Sequence, residues 1–163
     1  MKSILNIYMF LLAMLIGMEI SAGAFVAPVI FFPQNLIGDG VLTHFQSGQM
    51  MSAIFVKLNY VLIAVSVLAF LYETINFFKN KIENFNIRFS TFMLASINLA
   101  LALLFIFYFT SYILEAQKLG EIATIQSSEF NQIHKASEWS MKIMMIAQTI
   151  LFFIRFPKNK SNY

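Results

Sequence analysis

The 163-residue sequence contains no cysteine. Disulfides, thiolate metal sites and thiol catalysis are therefore excluded, and the compartment is left open. Charge is scarce too: Asp, Glu, Lys and Arg make up 12% of the chain, against about 25% in an average soluble domain. The net charge of +3 is small and dispersed, so no nucleic-acid partner is expected. Histidine occurs only twice, at His44 and His134. The sequence has no HExxH zinc motif, no GxSxG elbow, no Walker loop and no glycine-rich nucleotide fingerprint. No catalytic constellation stands out, and neither an enzyme nor a cofactor is expected.

What the chain does have is apolar surface. Hydrophobic residues make up 59% of it, with 19 phenylalanines and a mean hydropathy of +0.72. A membrane helix needs about 20 mostly apolar residues. Four windows qualify: Ile4 to Phe32, Met50 to Tyr72, Phe89 to Leu114, and Trp139 to Phe156 extended back to Ser137. The expected fold is all-α, one transmembrane domain over residues 1–163, built as a four-helix bundle in lipid. Pro33, Gly38, Asp39 and Gly40 mark a turn after the first window. The segment Glu115 to Glu138 is polar and reads as partly helical. Its Ile122, Ile125, Phe130 and Ile133 form an apolar stripe on the membrane surface in one reading, and belong to a solvated loop in the other.

Lys and Arg set the orientation. Lys2, Lys79, Lys81, Arg88, Arg155, Lys158 and Lys160 fall on one side, and Lys118 and Lys135 on the other. Both termini are therefore expected in the cytoplasm, with a bacterial inner (cytoplasmic) membrane as the location. Lys2, the apolar run and Ala22-Gly23-Ala24 also resemble a cleavable signal peptide. The apolar run continues to Phe32, so retention of the first helix is expected.

Ionisable groups within membrane helices cost about 2.5–3.5 kcal/mol at a helix centre, so each needs a reason. Glu19 and Lys57 come to similar depth if the first two helices are antiparallel neighbours, about 16 and 11 Å from their outer ends. An intramembrane Glu19–Lys57 pair is the expectation, weighed against Lys57 snorkelling to the interface while Glu19 stays protonated. Gln49, Ala53, Lys57, Tyr60 and Ala64 share one helical face. Glu19-Gly23-Ala27 and Ala13-Gly17-Ser21 form small faces that a second helix could approach. Gly17, Gly23, Ala27 and Pro28 are thus the packing candidates, with Pro28 ending or kinking its helix. Asn98, Gln148 and the other single polar groups of the last two helices are expected in interhelical hydrogen bonds. Glu138 and Lys142 can pair at i,i+4.

His44 and His134 both lie on the outer side, each near the start of an inward-running helix. With Ser137 and Glu138 they make a candidate outer-face site. Two imidazoles can ligate haem or copper, though an interfacial histidine is more often a hydrogen-bonding residue. The ten methionines mostly sit singly in apolar helices, as packing residues.

Three segments resemble a known family. They are Gly17-Met18-Glu19 through Ala27-Pro28-Val29-Ile30-Phe31, Gln49 through Phe55, and Phe130-Asn131-Gln132-Ile133-His134-Lys135-Ala136-Ser137. They are similar to the first helix, the second-helix start and the fourth-helix entry of the TMEM205-like membrane proteins, the DUF4149 group. The match rests on Gly17, Pro28, Phe31, Phe55, His134 and Ser137. Met141-Lys142 stands where the group often has Asn, and Val56 where it often has Pro. The resemblance implies a four-helix membrane protein without an established reaction. Three functions fit: small-solute binding or transport (or assembly of membrane complexes), a His-ligated metal or haem redox protein, and a structural helix partner or homo-oligomer.

Overall fold

The computed structural model describes residues 2–156; the sequence-assigned Lys158 and Lys160 lie outside them. Helix α1 covers Lys2–Ser21, passes through a π-helical turn at Ala22–Val26 and ends as Ala27–Phe31. A short α2 spans Gln34–Ile37, and α3 spans His44–Lys79. Helix α4 covers Phe85–Leu104, a second π-turn at Phe105–Thr110, and Ser111–Lys118. A short α5 spans Glu121–Ile125, and α6 spans Ser128–Arg155. Among the described residues there is no strand.

Local chemistry sets these boundaries. Thr43 and Gln46 form a reciprocal capping box that starts α3: Gln46 N–H donates to Thr43 Oγ1 at 3.1 Å, and Thr43 N–H to Gln46 Oε1 at 2.9 Å. Asn84 and Ser127 cap α4 and α6 by accepting from Asn86 N–H and Phe130 N–H. Helices α3 and α6 therefore start before their apolar windows, at 44 rather than 50 and at 128 rather than 137. Hydropathy marks the lipid-filled part of a helix, whereas caps mark its ends. Pro28 neither ends nor breaks α1. It lacks an N–H, and the ladder slips to i→i−5 just before it, with Ala27 N–H donating to Ala22 O. In the second π-turn, Thr110 Oγ1 donates to Phe105 O at 2.9 Å.

The long helices α1, α3, α4 and α6 pack in a ring, each beside the next and α6 back against α1. Three of them, Ser3–Phe31, His44–Lys79 and Phe85–Lys118, are long and apolar enough to cross a membrane. The chain is thus a helical membrane protein. Leu12, Leu15, Leu62, Val65, Ala95, Ala102, Met144 and Leu151 fill the centre. The outward faces are apolar: Phe10, Tyr60, Phe107 and Phe153, one on each long helix, are 67–71% exposed. Such surface is tolerated in lipid but not in water.

The Glu115–Glu138 segment resolves into the end of α4, the short α5 and the start of α6. Its isoleucines do not act as one stripe. Ile122 is exposed, Ile125 and Phe130 face a cavity, and Ile133 packs on the core.

Candidate functional site

Two polar layers cross the bundle, and they obey one spacing rule. The first joins all four long helices. Gln148 Nε2 (α6) donates to Glu19 Oε1 (α1) at 3.2 Å and to Asn98 Oδ1 (α4) at 3.0 Å. Asn98 Nδ2 donates to Ser66 Oγ (α3) at 3.0 Å. All four side chains are at most 5% exposed. The interhelical roles expected of Asn98 and Gln148 are those observed.

Seven residues along α3, α4 and α6 lies the second layer: Glu73 after Ser66, Thr91 before Asn98, Arg155 after Gln148. Seven residues are almost two helical turns, so each residue keeps its face and moves about 10 Å along the axis. Arg155 Nε donates to Glu73 Oε1 at 2.8 Å, and Nη2 to Glu73 Oε2 and to Thr91 Oγ1 (2.7 Å for the latter). Nη1 reaches both oxygens of Glu83, at 2.7 and 2.9 Å. These contacts draw on all three guanidinium nitrogens. Asn76 Nδ2 also donates to Glu83, at 2.8 Å. Glu83 sits in the α3–α4 connection. Burial pushes its carboxyl up, but the hydrogen bonds from Arg155 and Asn76 outweigh that and hold it below the usual carboxylate range. The second layer closes the bundle end that carries the termini.

At the opposite end, which carries both histidines, the helices part around a cavity of about 640 Å³. Glu19 lies at its floor. The walls are mostly apolar: Met51 and Phe55 from α3, Phe105 from α4, Met141 and Met145 from α6. Both π-turns contribute, through Gly23 and Ala24 in α1 and Phe105 and Thr110 in α4. π-Turns widen a helix locally and recur at functional sites. The rim is polar. His44, His134, Ser137, Glu138 and Lys142 all line it, so the sequence-assigned outer-face residues do converge. Glu138 takes His134 Nε2 at 3.3 Å and Lys142 Nζ at 3.9 Å. Ser137 Oγ is turned back to His134 O at 2.7 Å. The His44 ring packs on Phe31 and the His134 ring stacks on Phe130. Among the described residues, no three His, Asp or Glu side chains converge as a metal site.

Two sequence expectations are corrected here. Glu19 does not pair with Lys57. Lys57 stands nine residues before Ser66, half a turn away from the buried face of α3, and its side chain is exposed. The whole Gln49-Ala53-Lys57-Tyr60-Ala64 face is exposed with it. Depth was matched, but facing was not. Gly17 and Gly23 of α1 are not helix contacts either. Gly17 is exposed, with Ala13 and Ser21, and a side chain there would meet nothing within 4 Å. Gly23 lines the cavity, whereas Ala27 both lines it and packs on the core, as expected of a packing residue. The small apolar residues that the bundle buries fully are instead Ala69, Ala95 and Ala102.

The Arg155 cluster escaped sequence reading because Arg155 ends α6 and Glu73 lies just past the apolar window of α3, where both count as loop charges. The heptad relation of Ser66–Glu73, Thr91–Asn98 and Gln148–Arg155 was the signal that could have exposed it.

A family described as a domain of unknown function, DUF4149, matches residues 10–121. No curated protein and no solved structure matches. The matched stretch takes in Glu19, Gly23 and Pro28 and the whole of α3 and α4, and it stops before His134 and Ser137. On that extent of match, this membrane protein belongs to the DUF4149 family.

Proposed function

We propose that the chain crosses a bacterial inner membrane four times, with both termini in the cytoplasm, and binds a small solute in the cavity that opens outward between the helices. It acts without catalysing a reaction. The lipid-facing Phe153 and the inward-facing Gln148 support a fourth span despite the polar start of α6. The surplus of Lys and Arg at the end bearing the termini supports the orientation. The observation that carries solute binding is the cavity itself: about 640 Å³, apolar-walled, with a buried carboxyl at its floor. The opposite end is closed by the Arg155 cluster, the arrangement expected of a chamber with one mouth.

Blocking the chamber tests this. A side chain added at Gly23 meets open space, so Gly23→Trp should fill the cavity and leave the bundle folded. Solute-induced thermal stabilisation of the purified protein should then disappear. Stabilisation that survives Gly23→Trp would place the site elsewhere.

A structural helix partner is the second reading. It draws on the uncovered Ala13-Gly17-Ser21 face, where a membrane-protein partner or second copy would approach closely. Crosslinking in native membranes from Ser21→Cys should then trap one defined product. A haem or metal role for His44 and His134 predicts a Soret band or stoichiometric metal in the purified protein.

A further inference from the structure

We propose that the chamber selects an organic cation: a small amine with an apolar body, its ammonium seated against Glu19. This rests on the solute-binding reading and names the class of solute.

The argument starts from unpaired acceptors. Glu19 is 5% exposed, and among the described residues only its Oε1 has a hydrogen-bond partner. Its Oε2 has none. Behind Glu19 and off the cavity lining, Gln148 gives its amide hydrogens to Glu19 and Asn98, and its own Oε1 has no partner among the described residues. Buried acceptors without donors are costly. An ammonium group brings up to three N–H donors and the charge that a buried carboxylate needs. A hydroxyl brings one donor and no charge, and an anion would face Glu19 directly.

Nothing among the described residues supplies that cation. Among the described residues, no Lys or Arg nitrogen lies within 4 Å of Glu19. Lys57 faces outward. Lys142, the lysine on the chamber wall, is engaged with Glu138 and sits over the Trp139 ring at 5.1 Å. His134 shares the same Glu138. Lys142 and Glu138 therefore answer one another, and among the described lining residues Glu19 is the carboxyl with no cation beside it. The walls suit the rest of such a molecule. Phe55 and Phe105, 5.9 Å apart edge to face, offer aromatic surface that also attracts cations. The methionines offer adaptable apolar contact.

The test uses the full chain in phosphatidylcholine nanodiscs, with binding followed by ligand-detected saturation-transfer NMR. Three probes share one body: phenethylammonium, neutral phenethyl alcohol and anionic phenylpropionate. Phenethylammonium should bind at least about tenfold tighter than the alcohol, and the acid least. Glu19→Gln should erase the preference, and Gly23→Trp should erase binding of all three. Equal binding of amine and alcohol to the unaltered protein overturns the cation assignment and leaves the chamber reading standing. Probe signals unchanged by Gly23→Trp overturn the chamber reading itself. The comparison on the unaltered protein decides the class even if Glu19→Gln folds poorly.

Discussion

Removing Arg155 should be the most damaging single polar change in the bundle. Its guanidinium holds Glu73, which is fully buried, together with Thr91 and the partly exposed Glu83. Arg155→Met keeps much of the side-chain bulk but leaves Glu73 without a cation in a dry site. Breaking a buried pair from one side costs about 3–5 kcal/mol. Glu73→Gln is milder, because Arg155 keeps Glu83 as a partner; loss of charged hydrogen bonds costs about 1.5–3 kcal/mol. Glu83→Gln should cost about 1 kcal/mol or less, since that position is partly exposed and Arg155 keeps Glu73 as its buried partner. The order Arg155→Met, then Glu73→Gln, then Glu83→Gln is thus set by which charge is stranded and how deeply. Unfolding of the purified protein in mixed micelles, titrated with a denaturing detergent and read by circular dichroism, measures it. The double variant Arg155→Met/Glu73→Gln should recover part of the Arg155→Met loss, because no buried charge is then unpaired. Equal effects of Arg155→Met and Glu83→Gln, or no recovery in the double variant, would refute the reasoning.

Three further outcomes follow from the same geometry. Asn98→Leu cuts the four-helix layer at its centre and strands Ser66 and Gln148; it should cost about 1–3 kcal/mol in the same unfolding assay, whereas Ser96→Ala, which removes only a back-bond to Phe92 O, should change little. Glu83 has its carboxyl held below the ordinary glutamate value of 4.5; its contribution is therefore present above that value and is lost as pH falls through the lowered one. An acid titration of stability should show that loss in the unaltered protein and lack it in Glu83→Gln. Gly17→Leu should not destabilise and should gain up to about 1 kcal/mol from helix propensity, while Ala95→Leu should cost about 1–3 kcal/mol by overpacking.

Much of the bundle was legible in composition and hydropathy, because a span needs a long apolar run whatever its partners. The helix ends were less so: Thr43, Asn84 and Ser127 cap helices within polar sequence that hydropathy discards. The site was legible in its rim. His44, His134, Ser137 and Glu138 were grouped by topology alone, and the structure brings them to one cavity mouth. Its floor was half legible. Glu19 stood out as a carboxyl in an apolar helix, but its partner, Gln148 on α6, could not be chosen by depth: even Lys57 and Asn59 on one helix differ by half a turn of facing and little in height. Asn59 is the inward one, donating to Thr110 Oγ1 at 3.1 Å. Gly17 and Gly23 show the same limit. Their sequence spacing permits a helix contact, but neither packs against a neighbouring helix.

The central claim is a chamber open to the outside and bounded by Glu19, and thiol accessibility tests it most directly in this cysteine-free chain. Gly23 and Ser21 lie at nearly the same depth, about 12–15 Å from the α1 end at Phe31, on opposite faces. A membrane-impermeant maleimide added from outside intact cells should label Gly23→Cys and leave Ser21→Cys unlabelled. Labelling of Gly23→Cys only after the membrane is permeabilised, or equal labelling of both positions, would contradict the account.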